Sequence, residues 1–504
     1  MAKSRSIRSK QQRQALVVAE PLRSLFLVEP DKRLSRLHRF TVLIVLALAA
    51  VLATRTVGSS DAGFHLKAGV HILDHGSWPR TDEFTYTLRD RPYIDTSWGY
   101  QVLIAAVERR FSAGGLVALH VGMILSTLVL VYLTARLFAV DSTWLVVLMA
   151  IGVLACEMRI EVRPEVLSYL FLAAMIYVLT RHAERRATPL WMIPVIQLAW
   201  ANCHSLFLLG WLVMGSFVAG LLVRDRRVDR RLAMHCFVAV AVCFLNPYGV
   251  YGIWFPITLL TRFDRANVFS ESIGELVSPF DLQLTAQQPF FPVWSIYSFR
   301  IFAIVCVPAV WWMIRQRRYW GICLLVVMMP LAAKMQRNVP LPVIALLPLV
   351  AAGAWFDPLL RLVRLKDRGI GWAHRVVVAG VVVLVTAQGL RVVNDAYYID
   401  GRRTQRFGWS WGRLDLPVDA ADYARRVGLK GPMLNHLNLG GYLMWALPEP
   451  VFIDGRLEVV GEEFYQYYLR LMGSREGLDE AQARHQFNWM VFPYAISQRL
   501  LIRM

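Results

Sequence analysis

"SSDAGFHLKAGVHILDHGSWPRTDEF", residues 59–84, follows directly on the apolar run "FTVLIVLALAAVLATRTV" of residues 40–57 and abruptly gathers acids, histidines, a lysine and a Gly/Pro break. The apolar run is long enough to span a bilayer core of about 30 Å. The change in chemistry therefore places residue 59 onward at a membrane surface. Asp61 and His65 are four residues apart and share a helical face with Ala68, Gly69 and Ile72, a small and apolar surface suited to packing on a bundle. Lys67, His71, Asp74 and His75 fall on another sector, toward water. Gly76 and Pro79 break the helix, and "FTYTLRDRPYIDTSWG" alternates like a hairpin turning near Arg89 and Asp90, with the acidic pair Asp82 and Glu83 at its entry. From Trp98 to Phe111 the pattern is amphipathic, Trp98, Val102, Ala105 and Ala106 opposing Gln101, Glu108 and Arg109, as in an interfacial helix.

The rest of the chain agrees with a membrane setting. Hydrophobic residues make up 56% of it and the mean hydropathy is +0.43, in apolar blocks separated by basic clusters, which is the composition of an integral membrane protein. Eleven spans are expected, at roughly 40–57, 114–138, 143–156, 164–180, 189–202, 205–223, 232–250, 296–314, 319–333, 339–356 and 375–391. The expected fold class is mainly α, a polytopic helical membrane bundle. All six cysteines lie in or beside apolar segments and read as small buried hydrophobes. The net charge of +19 collects in short Arg-rich connections, not in a basic stripe interleaved with aromatics on a soluble face, so nucleic-acid binding is excluded.

Those connections set the topology. The N-terminal arm (1–39), "RHAERRA" (181–187), "RDRRVDRR" (224–231), "RQRR" (315–318) and the Arg361 to Arg368 stretch fall on one side if the count of eleven holds, and the positive-inside rule makes that side cytoplasmic. Loop one (58–113), "EMRIEVRPE", "NCHS", the 251–295 loop, "KMQRN" and residues 392–504 are then extracytoplasmic. No cleavable signal peptide is expected, because the basic arm is too long and the first span lacks a small-residue cleavage pattern.

Nearly all unusual polar residues collect on that outer face. "EMRIEVRPE" supplies Glu157, Arg159, Glu161, Arg163 and Glu165; "WANCHS" brings Asn202 and His204; the 251–295 loop offers Glu271 and Glu275; "KMQRN" offers Lys334, Arg337 and Asn338. Single ionisable residues at a membrane boundary are often interface anchors. Several segments converging on one face suit a lipid-phosphate sugar donor, whose phosphate sits at headgroup level. Arg163, Lys334 or Arg337 at that depth can hold the phosphate, and a carboxylate can take the acceptor's proton. Asp61 is placed for the second role, against the plainer reading of a solvated helix N-cap. "HILDH" (71–75) pairs two histidines at helical spacing, but its acid precedes the second histidine instead of following the first, so no metal ligands are assigned. No cofactor motif is read, and a divalent cation is left open.

After residue 391 hydropathy falls, and "GPMLNHL", "PVFIDGR" and "NWMVFPY" read as strands between helical segments, a small α/β unit of roughly 110 residues. The Gly pair of "LNLGGYL" reads as a tight turn instead of a phosphate cradle, since no GxGxxG spacing follows, with "YLMWAL" as a short helix after it. Asp454 and Arg456 are candidates for a sugar hydroxyl or phosphate, or for a salt bridge across a turn.

The stretches "DAGFHLKAGVHILDHGSWPRTDEFTYT", "RPE", "NCHS", "NPYG" and "GGYL…VFIDGR" resemble a group of bacterial multi-pass proteins of the GT-C superfamily of polyprenyl-phosphate-sugar-dependent glycosyltransferases. The resemblance implies the bacterial inner membrane and a polyprenyl-phosphate sugar as donor. It implies a glycan, lipid or protein acceptor outside the cytoplasm, and a loop-one Asp as base, which maps onto Asp61. The Asp-Glu pair of protein mannosyltransferases is absent there but occurs about twenty residues later as Asp82 and Glu83, so all three carboxylates are candidate catalysts. The alternative is a non-enzymatic transporter or assembly factor for lipid-linked glycans, whose polar residues would line a path through the bundle. The scarcity of charge at mid-span favours the enzyme.

Overall fold

The computed structural model describes residues 32–138, 140, 143–261, 277–282, 294–353 and 367–494. Most of the basic arm, Glu271, Glu275, Arg361, Arg364 and the segment "AISQRLL" lie outside these residues. The chain is mainly helical. Helix α1 (Lys32–Ala53) precedes α2 (Ala62–His75), and α3 (Trp98–Arg136) joins the amphipathic stretch to an apolar half across a bend at Ser112, whose φ of 52° interrupts the helical run. The bundle continues through α4 (Thr143–Cys156), α5 (Glu165–Ala183), α6 (Met192–Ala201), α7 (Leu208–Asp225), α8 (Arg230–Ala241) and α9 (Val250–Thr261). It closes with α10 (Trp294–Arg315), α11 (Tyr319–Lys334), α12 (Pro340–Ala352) and α13 (Asp367–Val393).

Among the described residues five helices are long and apolar enough to cross a membrane, Trp98–Arg136, Glu165–Ala183, Ser205–Asp225, Trp294–Arg315 and Arg375–Val393; four shorter apolar helices, at Arg39–Ala53, Met192–Ala201, Tyr319–Lys334 and Pro340–Ala352, accompany them. Among the described residues the apolar segments are not all single uninterrupted helices. The 232–250 segment, for instance, leaves the α-helix at Ala241, passes a 3₁₀ turn at Val242–Phe244, and ends where Asn246 Oδ1 accepts from the Tyr248 amide. The axis of the bundle is α12. Every one of its residues is buried, as an all-round apolar helix requires, and it packs on α3, α4, α5, α10 and α11.

The C-terminal segment comprises α14 (Ala396–Asp400), α15 (Val418–Val427), β1 (Met433–Asn435), α16 (Leu437–Ala446), α17 (Leu457–Gly473), α18 (Arg475–His485) and β2 (Trp489–Val491). It has less sheet than expected: β1 and β2 pair in parallel over three residues each. "PVFIDGR" does not form a strand, because the Asn435 side chain occupies its ladder positions, accepting from the Phe452 amide at 2.8 Å and donating to the Ile453 carbonyl at 2.7 Å. "LNLGGYL" is helical, not a turn. Its glycines serve close approach: a Cβ on Gly63 of α2 would lie 2.1 Å from the Gly441 carbonyl oxygen of α16. Loop one also contributes Phe64, Ala68, Phe84, Leu88 and Tyr93 to the apolar core of this segment, so the two are one packed body.

Candidate active site

Asp61 takes the N-cap position of α2, yet its side chain makes no capping bond. The carboxylate instead faces Arg163, with Oδ2 3.6 Å from Nε, and Oδ1 accepts from Ser60 Oγ at 3.2 Å. The group is 29% exposed, accessible and held at once.

Opposite it runs the 157–165 segment between α4 and α5, whose charges form two linked sets. The first is a chain. Arg403 Nη1 lies 2.6 Å from Glu157 Oε1, Arg55 Nη1 lies 3.5 Å from the same oxygen, Arg55 Nη2 lies 3.7 Å from Glu161, and Arg163 joins Glu161 at 3.2 Å to Asp61. Burial alone would raise the Glu157 carboxyl, but Arg403 and Arg55 hold it below its ordinary value. The second set is a trio in which Arg159 (3.0 Å) and Arg337 (3.2 Å) share Glu165 Oε1. Two cations on one carboxylate leave a local surplus of positive charge.

Each set borders its own cavity. Arg159, Arg337 and Gln336 line an open cleft whose other walls are mostly apolar, including Ala155, Pro279, Ile296 and Val339. Arg55, Ser59, Glu161, His120 and Gln405 line a second, more polar one. Lys334, exposed at the end of α11, borders neither, and Asn338 donates to the Leu331 carbonyl at 3.0 Å, closing the helix end. His204 Nδ1 is 2.8 Å from the hydroxyl of Ser168, one turn along α5 from Glu165.

The remaining candidates divide sharply. Glu83 is 55% exposed, 3.8 Å from His71. Asp82 is fully buried: its oxygens accept from the amides of Phe84 and Thr85 and from the Thr85 hydroxyl, and Oδ1 lies 2.8 Å from Arg456 Nη2. Arg456 donates twice to Asp454, from Nε at 2.9 Å and Nη2 at 2.6 Å. Asp82, Asp454 and Arg456 thus form a buried triad joining loop one to the C-terminal segment. Among the described residues no group of three or more His, Cys, Asp or Glu side chains is arranged to hold a metal ion.

No protein-family model and no curated protein sequence matches the chain. Solved structures do. The archaeal oligosaccharyltransferase AglB from Archaeoglobus fulgidus, in complex with an inhibitory peptide and a dolichol-phosphate, superposes with a TM-score of 0.59 at 10% identity over 90% of this chain and 69% of that one. The apo form of the Archaeoglobus fulgidus oligosaccharyltransferase gives 0.57 at 11% identity over the same shares. The chain shares the fold of these oligosaccharyltransferases. ArnT from Cupriavidus metallidurans, bound to undecaprenyl phosphate, is also similar, with a TM-score of 0.47 and 14% identity over 86% of this chain and 90% of that one.

On this scaffold several site residues escaped the sequence reading. Arg55 and Arg403 sit beside span ends, where a basic residue ordinarily reports topology. Gln101, expected to face outward, is buried, and its Nε2 donates to His65 Nδ1 and to Asp95 Oδ1, each at 3.1 Å. The signal available was Asp95, two residues before the Ser97 amide it accepts.

Burial lowers the His65 imidazole from 6.5 to about 3, despite the opposing pull of Glu165, so the folded protein holds it neutral. The unfolded chain begins to bind this proton below its ordinary value, and the folded one does not until pH 3. The contribution is therefore complete above pH 6.5 and is lost as pH falls from 6.5 toward 3. At pH 5 the wild type should have lost about 2 kcal/mol relative to His65→Gln, read as converging melting midpoints in detergent. Asp95 and Glu458, raised by burial to about 6 and about 7, act oppositely in both proteins.

Proposed function

We propose that the chain is an integral-membrane glycosyltransferase that moves a sugar from a polyprenyl-phosphate donor to an extracytoplasmic acceptor, with Asp61 as general base. One observation carries this reading: on a GT-C-type fold, the 157–165 segment pairs an accessible carboxylate through Arg163 and, through Arg159 with Arg337, also lines a cation-rich, apolar-walled cleft. Arg159 and Arg337 would hold the donor phosphate there, and the apolar walls would take the first isoprene units. Asp61 accepts the proton of the acceptor hydroxyl as its oxygen bonds to the anomeric carbon. The bond from that carbon to the phosphate oxygen breaks, and the phosphate gains a negative charge. The surplus cation of the Glu165 trio favours that charge where it develops.

The basic connections support an N-terminus in the cytoplasm and a site and C-terminal segment outside it, in a bacterial inner membrane. The more polar cavity beside Ser59, with hydroxyl, amide and carboxylate groups in its wall, suits a polyhydroxyl acceptor.

Arg337 tests the donor assignment, being 32% exposed and shared with only one carboxylate in the trio. Losing a charged hydrogen bond costs about 1.5 to 3 kcal/mol, so Arg337→Ala should weaken binding of undecaprenyl phosphate roughly ten- to a hundredfold. Lys334→Ala should change it little. Affinity unchanged in Arg337→Ala and in an Arg159/Arg337 double variant would reject the assignment.

A further inference from the structure

We infer that Gly455 and Arg456 are positioning residues for Asp61, so that the C-terminal segment builds one wall of the catalytic base; this rests on Asp61 being that base. Distant parts of the chain supply neighbours to the carboxylate. Arg163 stands 3.6 Å from Oδ2, and on the other side a Cβ placed on Gly455 would lie only 3.1 Å from Oδ1. The wall at Gly455 is bare backbone. It leaves just enough room for the carboxylate and none for a methyl group without displacement.

That backbone is firmly held. In the 454–456 turn the Arg456 amide donates to Asp454 Oδ1 at 2.8 Å, and the Leu457 amide donates to the Gly455 carbonyl at 2.9 Å. The Arg456 side chain grips Asp454 with two bonds and reaches Asp82 at 2.8 Å, while its guanidinium carbon lies 5.2 Å from the Phe84 ring centre and 5.1 Å from that of Tyr93. Asp82, Phe84 and Tyr93 all belong to loop one, the same loop that carries Asp61. Arg456 therefore fixes the turn in the frame of the base it flanks. Planar, two-sided binding of this kind is specific to a guanidinium; a lysine ammonium cannot hold both oxygens of Asp454 and also reach Asp82.

A base displaced by a fraction of an ångström loses alignment with the acceptor while the phosphate-holding Arg159 and Arg337, on the turn after α4 and the turn after α11, are untouched. The test uses membranes from a deletion strain, where the accumulated sugar-linked polyprenyl lipid is the donor and the native acceptor is present. Full-length variants are purified in parallel for undecaprenyl phosphate binding and melting. Gly455→Ala should consume the donor about tenfold more slowly or worse, with undecaprenyl phosphate affinity within about twofold of wild type. Arg456→Lys, assayed below its melting midpoint, should show the same split. Gly473→Ala, where an added Cβ meets nothing within 4 Å, should behave as wild type. Wild-type consumption by Gly455→Ala overturns the inference. If Gly455→Ala does not fold, wild-type consumption by Arg456→Lys does so, as does a parallel loss of lipid binding in either variant. Asp61→Asn in the same membranes separates the two claims: if it is inactive while Gly455→Ala is normal, only the positioning role falls; if it is normal, the reading of Asp61 falls first.

Discussion

Asp61→Asn is expected to lower sugar transfer by about 10² to 10⁴ while leaving the melting midpoint and undecaprenyl phosphate binding nearly unchanged. The substitution keeps size and hydrogen bonding but removes the proton acceptor. Folding should tolerate it because the carboxylate makes no capping bond to α2, and an amide can keep the contacts to the Ser60 hydroxyl at 3.2 Å and Arg163 at 3.6 Å. Glu83→Gln, at an exposed site, should retain most activity. If Asp61→Asn turns over normally and Glu83→Gln does not, the base lies in the later acidic pair.

The second large effect is on stability. Arg456→Met should cost about 3 to 5 kcal/mol, because it leaves Asp82 and Asp454 buried without their cation. Both carboxylates are at most 1% exposed, so water cannot replace the guanidinium. Adding Asp82→Asn and Asp454→Asn to Arg456→Met should recover part of the loss, since neutral amides remove the uncompensated charge. A single variant that melts with the wild type would show that the triad does not hold loop one to the C-terminal segment.

The position of Asp61 was legible because a span end, a helix start and a small apolar face coincide within a few residues. Its partner Arg163 was legible as one charge of a crowded segment, but the pairing was not: in "EMRIEVRPE" acids and bases alternate, and only the fold shows that Glu157 and Glu161 join the Arg55 and Arg403 chain while Glu165 turns to Arg159 and Arg337. Asp82 looked as available as Glu83 from sequence. What buries it is Arg456, more than 370 residues later, and no local pattern carries such a contact. The motif "NPYG" proved to be scaffold, Asn246 closing a turn that places the Tyr248 hydroxyl 3.2 Å from the Pro79 carbonyl of loop one. The missing strand at "PVFIDGR" has a similar cause, since the Asn435 side chain competes for backbone groups that a strand partner would use.

Mass spectrometry of polyprenyl lipids in cells lacking this chain, with the wild type restored, and with Asp61→Asn restored, tests the central claim most directly. The expected result is a sugar-linked polyprenyl phosphate that accumulates in the deletion strain, disappears with the wild type and persists with Asp61→Asn. Identical lipid profiles in all three strains would contradict a polyprenyl-phosphate sugar donor, and clearance by Asp61→Asn as complete as by the wild type would favour a transporter or assembly factor over a transferase.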